Sequence, residues 1–157
     1  MPGNQISLEP ITLLNWRQAL EVRCKPGQLK FVADSEPVAL VILSKCYIRP
    51  GGFNWEPFAL ITDHKLVGVV ALTYSQVRCE ILHLLIDRNY QGRGIGKTAF
   101  ATIVEHVYQT LPKCREITFT VHPDNHSARH IYTTYGARGT GETRDGEDAY
   151  RIDLRRD

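Results

Sequence analysis

The stretch 95–111 carries the clearest hydrophobic period in the chain. Ala99, Phe100, Ile103, Val104, Val107, Tyr108 and Leu111 recur at spacings of three and four. Such a stripe predicts an amphipathic helix that starts in the glycine cluster at 91–96 and runs to about Thr110, before Pro112. Ahead of it, the apolar runs 57–61, 66–74 and 80–86 read as strands, the first two joined by a turn at Thr62-Asp63-His64-Lys65. The third is apolar enough for burial on both faces. Residues 116–121 and 150–154 read as two later strands, and 7–11 as an opening one. Thr12 is placed to cap a helix over 13–24 that ends at Pro26-Gly27. Residues 37–47 read as a helix with Pro37 in its first turn, although an apolar character nearly all round leaves some strand open. Arg49-Pro50-Gly51-Gly52 ends it. Pro123-Asp124-Asn125 starts a last helix with Ala128, Ile131, Tyr132 and Tyr135 on one face, and Gly136 stands where a left-handed cap belongs. The repeated switching between periods predicts a mixed α/β fold, with one domain over 1–157.

Composition narrows the function classes. The 157 residues are 43% hydrophobic and 23% charged, ordinary globular usage that excludes a disordered or collagen-like chain. With 19 Lys+Arg against 17 Asp+Glu, the balance is too even for a dedicated nucleic-acid binder. No apolar run approaches the ~20 residues that span a bilayer, and Met1-Pro2-Gly3-Asn4-Gln5 has no signal-peptide pattern. Cys24, Cys46, Cys79 and Cys114 are widely spaced and form no C-x-x-C pair. They read as reduced, mostly buried thiols of a cytoplasmic protein, with no metal site. His122, His126 and His130 repeat every four residues, but His122 falls off the helix and no acidic motif accompanies them; they read as solvated or ligand-proximal polar groups.

The glycine cluster is the strongest chemical signal. A strand, a glycine-rich turn and a helix start together make an anion site, because the first helical turn leaves N–H groups unpaired and the macrodipole adds positive charge. Glycines let phosphate oxygens approach the backbone, and Arg93 and Lys97 add side-chain charge. Gly96-Lys97-Thr98 ends like a P-loop, but the required first glycine falls on Gln91, which excludes a nucleotide triphosphatase. A dinucleotide fingerprint through Gly94, Gly96 and Ala99 lacks an acidic partner at the end of the next strand, Glu116 lying at its start.

The string Tyr90-Gln91-Gly92-Arg93-Gly94-Ile95-Gly96-Lys97 resembles the Q/R-x-x-G-x-G/A signature of the GNAT acetyltransferases. Leu84-Leu85-Ile86-Asp87 matches their preceding strand, and Asn125-x-x-Ala128-x-x-x-Tyr132-x-x-x-Gly136 looks like their late helix. Leu8-Glu9-Pro10-Ile11-Thr12, Asn15-Trp16-Arg17 and Gln28-x-x-Phe31-Val32-Ala33 are similar to the bacterial branch associated with diamine and polyamine acetylation. The resemblance implies the GNAT fold, a mixed and largely antiparallel sheet flanked by helices. It implies acetyl-CoA as co-substrate, its pyrophosphate on Gln91, Gly92, Arg93, Gly94, Ile95, Gly96 and Lys97. Leu84, Leu85 and Ile86 would bind the pantetheine arm, with backbone N–H groups at Leu85 and Ile86 meeting carbonyls, and Asn125 would join the cofactor site.

Tyr132 would by spacing be a core tyrosine, but the resemblance makes it the general acid that protonates the departing thiolate. A phenol of ordinary pKa near ~10 is protonated at neutral pH and can donate. His83, or Glu80 through a water, both on the strand leading into the site, are the candidates for the base, with deprotonation by water chains and no dedicated base as the third option. Residues two apart share a strand face, so Glu80 and Leu82 should point one way and His83 the other. The resemblance implies a small-molecule primary amine as acceptor, a di- or polyamine among the options. Two departures stand out. Leu82 replaces an acid common in polyamine enzymes, and Gly136-Ala137 replaces the usual Gly-Phe. Acetylation of a protein, peptide or antibiotic amine, or a non-catalytic coenzyme A-binding module, stays open. The acidic stretch 142–148 reads as a solvated hairpin turning at Asp145-Gly146, with a contribution to an acidic cleft for a cationic acceptor as the alternative. Phe53 and Trp55 either line an acceptor pocket or pack. Exposed edge strands near the C-terminus leave room for a homodimer.

Overall fold

The computed structural model describes residues 5–156; residues 1–4, which carry most of the N-terminal stretch read as lacking a leader, lie outside the described residues. The elements run β1 (Ser7–Pro10), α1 (Trp16–Leu20), α2 (Val38–Ile48), β2 (Asn54–Thr62), β3 (Lys65–Tyr74), β4 (Arg78–Ile86), α3 (Ile95–Thr110), β5 (Glu116–Val121), α4 (His126–Thr134), β6 (Arg138–Arg144) and β7 (Glu147–Asp153). Short 3-10 turns cover Leu29–Phe31 and Pro50–Gly52. The seven strands form one sheet in the order β1-β2-β3-β4-β5-β7-β6. Every neighbouring pair is antiparallel except β4 and β5, which are parallel. Parallel neighbours need a crossover, and α3 supplies it. This is the mixed, largely antiparallel sheet with flanking helices that the sequence implies.

Helices cover both faces. On one, Phe100, Ile103 and Val107 of α3 pack with Val70, Leu72, Ile117, Phe119 and Val121. On the other, Ala19, Val38, Ala39 and Ile42 of α1 and α2 pack with Val69, Ala71 and Leu85. The alternation along β3 therefore feeds two cores, which is why it reads as a continuous apolar run.

Some local expectations need correction. The first helix is five residues long rather than spanning 13–24. Asn15 explains its start: Oδ1 accepts from Thr12 N and Nδ2 donates to Pro10 O, holding a turn over residues 12–15 in which Leu13 and Leu14 stay exposed. At its far end, the buried Asp87 draws the chain away, accepting from Arg23 N at 2.9 Å. The sequence reading marks the turn at Asp145-Gly146 but no strand over 138–144, because all seven residues of β6 are exposed and show no apolar alternation. It pairs with β7 through a hairpin in which Asp145 (φ 53°) and Gly146 (φ 80°) both adopt left-handed conformations, as a two-residue hairpin turn requires. The four cysteines are free. Burial pushes the thiols up, to about 11 for Cys24 and Cys46, so they stay protonated at neutral pH.

One close approach fixes the middle of the sheet. A Cβ built on Gly68 of β3 would lie 2.6 Å from the Leu85 carbonyl oxygen of β4, closer than real Cβ atoms sit to backbone. Gly68→Ala must therefore separate the two strands. We expect a loss of stability of about 1–3 kcal/mol, measured by urea denaturation.

Candidate active site

The parallel ladder between β4 and β5 is short. It pairs Arg78, Cys79 and Glu80 with Glu116, Ile117 and Thr118 and then stops, although β4 continues to Ile86 and β5 to Val121. The strands part into a V. Its cause is local to β4: in the ladder with β3, Ala71 faces Leu82 and Val69 faces Leu85, so His83 and Leu84 together oppose Val70. This is a β-bulge, and His83 takes φ 57° within it.

The bulge overturns the expected alternation. His83 reaches the α2 side of the sheet, the side on which Leu82 also packs. Its Nδ1 lies 2.6 Å from the Val32 carbonyl oxygen, and its Nε2 lies 2.8 Å from Lys45 Nζ. A carbonyl can only accept, so Nδ1 carries the proton and the Nε2 lone pair accepts from Lys45. Burial, more than the neighbouring Lys45 charge, holds the His83 pKa below its ordinary 6.5; the Val32 hydrogen bond and Asp34 act in the opposite direction. Glu80 stands apart at the base of the V, its Oε1 3.5 Å from Arg144 Nη1 on β6.

A cleft of about 420 Å³ opens at the mouth of the V. Leu84, Leu85 and Ile86 form one wall, Gln91, Gly92, Gly94, Gly96 and Lys97 the loop end, and Asn125 and Tyr132 the wall from α4. Gly92 (φ 78°) and Gly94 (φ 77°) need left-handed backbone, and nothing lies within 4 Å of where their Cβ atoms would be. They leave open backbone at the N-terminus of α3, whose cap is Gly94 itself. Two residues of the signature are placed differently from their neighbours. Ile95 is buried in the core beneath the loop, leaving its backbone for any ligand contact. The Arg93 guanidinium lies 5.7 Å from the Tyr90 ring centroid.

The Gln91 side-chain amide is held by protein while the residue lines the cleft. Its amide exchanges two hydrogen bonds with the Gln28 amide, both 2.9 Å, and donates to Ile86 O at 2.9 Å. Gln28, Phe31 and Val32 also line the cleft, as do Ser127, Ala128 and Ile131. Sequence reasoning misses the Gln28 contribution because it comes from a loop without periodicity. The only signal is the Gln28-x-x-Phe31-Val32 resemblance.

Tyr132 sits on α4 with its ring centroid 4.5 Å from that of Phe100 and 4.7 Å from that of Phe119. The helix end is fixed by Gly136 (φ 87°): Gly136 N donates to Thr133 O and Ala137 N to Tyr132 O, which closes the last turn. Asn125 caps the start, accepting from Ala128 N. Burial pushes the Tyr132 phenol up to about 12. Tyr132 and His83 come together. Both line a smaller cavity of about 50 Å³ inside the V, which shares Phe31, Val32, Leu84 and Asn125 with the larger cleft. Glu80 lines neither. Trp55 packs against the α2 core with Nε1 donating to Pro50 O, whereas Phe53 is exposed. Among the described residues, no three His, Cys, Asp or Glu side chains gather as a metal site. None of their helices is long and apolar enough to cross a membrane.

The geometry has counterparts among known proteins. Two relatives from Bacillus subtilis are each 26% identical over 142 residues, 87% of this chain and 90% of theirs. They are a probable spermine N(1)-acetyltransferase of subsp. natto and a spermine/spermidine N(1)-acetyltransferase of strain 168. An acetyltransferase from Thermus thermophilus superposes with a TM-score of 0.72 at 19% identity, covering 98% of this chain and 100% of that one. A spermidine N-acetyltransferase from Vibrio cholerae, in complex with CoA and spermine, superposes with 0.71 at 18% identity, covering 96% and 95%. Residues 18–137 match the profile described as the Acetyltransferase (GNAT) family. That match runs from α1 to the end of α4 and so encloses the whole cleft: the chain belongs to the GNAT acetyltransferase family.

Proposed function

We propose that this protein moves the acetyl group of acetyl-CoA to a primary amine of a small molecule, with di- and polyamines the first class to test. The observation that carries this reading is the shared cavity: Tyr132 and His83 face one small space inside the β4–β5 V, at the end of a cleft with a glycine-lined helix start. The B. subtilis relatives named for spermine and spermidine support the choice of acceptor. Free thiols support a cytoplasmic location.

The residues present suit the co-substrate. The N-terminal N–H groups of α3, with Lys97 beside them, suit a pyrophosphate. The parted edge of β4 at Leu84, Leu85 and Ile86 suits an extended arm, because strand edges offer backbone donors and acceptors in series. Acetyl-CoA supplies a thioester whose carbonyl oxygen gains negative charge and whose sulfur leaves as thiolate. Of the two backbone N–H groups expected to meet carbonyls, that of Ile86 faces the parted edge and can stabilise that oxygen, whereas that of Leu85 faces β3, as the Asp87 N–Val67 O bond two residues on indicates. Tyr132, protonated at neutral pH, donates its proton to the sulfur. The acceptor arrives as an ammonium and must lose a proton before its nitrogen can attack. His83 takes it at Nε2, with Val32 O fixing the tautomer and the ring orientation. Glu80 lies outside the cavity and beside Arg144, so we assign the base to His83.

Three outcomes test these roles. Tyr132→Phe keeps the packing on Phe100 and Phe119 and removes only the proton. It should lower kcat about 100-fold or more while leaving acetyl-CoA affinity, measured by calorimetry, unchanged. Burial holds the His83 pKa below its ordinary value, so the imidazole is neutral at pH 7. The acid limb of kcat/KM should therefore fall below the ordinary histidine value of 6.5 and vanish in His83→Gln. Gln28→Ala removes the partner of Gln91 and should raise the KM for acetyl-CoA, with little effect on kcat, in a steady-state thiol-release assay.

A further inference from the structure

Lys45 has an unusual environment for a cation. Its ammonium donates to the His83 Nε2 lone pair at 2.8 Å and lies 5.7 Å from the centroid of the Trp55 ring. Among the described residues it has no carboxylate within ion-pairing distance. A histidine lone pair and an indole face together make a small site for a primary ammonium. The proposed base cannot accept a proton from an acceptor while Lys45 holds its lone pair.

We propose that the Lys45 ammonium occupies the place of the acceptor's reacting nitrogen, so that the acceptor binds by displacing Lys45 from His83. This rests on the reading of His83 as the base. It also specifies the acceptor class. What replaces a lysine side chain at this point is a primary ammonium on a slim, unbranched alkyl stem. An aryl amine, which is neutral at pH 7 and attached to a flat ring, does not fit that description. Lys45 is a specificity-determining residue on this account. It competes with weak acceptors, and its flexible four-carbon stem can swing aside for one that makes further contacts.

The charges around His83 fix the direction of the effect. Lys45 faces it from α2, and Asp34 from the segment after the 3-10 turn. Tyr132 shares its cavity from α4. On its own strand, Glu80 is paired with Arg144 of β6. Removing Lys45 takes away one cation that lowers the His83 pKa and that repels an incoming ammonium.

The test uses the full chain with Lys45→Met, and with Lys45→Gln as a second variant that keeps a neutral hydrogen-bond donor. Two readouts are taken: steady-state kinetics with spermidine, and imidazole NMR of His83, assigned by comparison with His83→Gln. Displacement predicts that Lys45→Met lowers the KM for spermidine about three- to tenfold, the scale of the net worth of one hydrogen bond, and moves the acid limb to higher pH. It also predicts that spermidine shifts the His83 resonance in the parent protein, while aniline does not. A lysine that does not compete with the acceptor would leave the KM for spermidine unchanged or raise it, and spermidine would not move the His83 resonance in the parent; that result overturns the proposal. If the parent turns over no amine, the proposed function fails, but the NMR arm still decides the contact. A His83 resonance that moves with spermidine and with both variants upholds displacement. One that moves with neither overturns it.

Discussion

Everything at this site depends on β4 and β5 ceasing to pair after Glu80 and Thr118. A sheet interior normally satisfies its backbone groups strand against strand, and an interior strand that loses its neighbour exposes donors and acceptors that must find partners. Here that loss is confined to the last residues of β4 and has a definite cause. The bulge at His83 bends the strand, and Gly68 on the opposite edge lets the β3 backbone follow Leu85 closely enough to keep the β3–β4 ladder intact. The V is therefore held on one side and free on the other. The crossover α3, obligatory for a parallel pair, brings its N-terminus to the open end.

The same bend decides the electrostatics. A histidine in regular alternation would point away from α2. In the bulge it turns toward Val32 and Lys45, and the two contacts give its two nitrogens different jobs. Tyr132 approaches from the opposite layer, enclosed by Phe100 and Phe119, and aromatic burial keeps it protonated. One wall of the V thus carries an unprotonated nitrogen and the other a protonated oxygen, each held so by its surroundings and neither by a charged partner of opposite sign. Desolvation sets both: it disfavours imidazolium and phenolate alike.

Much of this is legible in the sequence, for physical reasons. α3 announces itself through a single apolar stripe, and α4 through Asn125 at one end and Gly136 at the other, where cap chemistry demands particular residues. The loop at Gln91 to Gly96 stands out because left-handed turns select glycine. What stays hidden has no local signature. β6 is polar throughout and exists through its hairpin with β7. The short α1 is set by Asn15 and by Asp87, the latter distant in sequence. The His83 bulge arises from a register shift against β3, and no residue type in Leu82-His83-Leu84 marks it. Lys45 lies on a helix that reads as apolar nearly all round, so its approach to His83 could only come from the fold.

The segment that carries Gln28 also carries Val32. One stretch of backbone therefore touches the glycine loop through an amide pair and the imidazole through a carbonyl. Both links are between uncharged groups. Added salt weakens contacts between exposed charges, such as Lys30 with Asp124, but has little hold on neutral dipoles. The register between the two ends of the cleft should thus persist across ionic strengths that erase the surface ion pairs, and a millimolar polycation in the surrounding solution would leave it undisturbed.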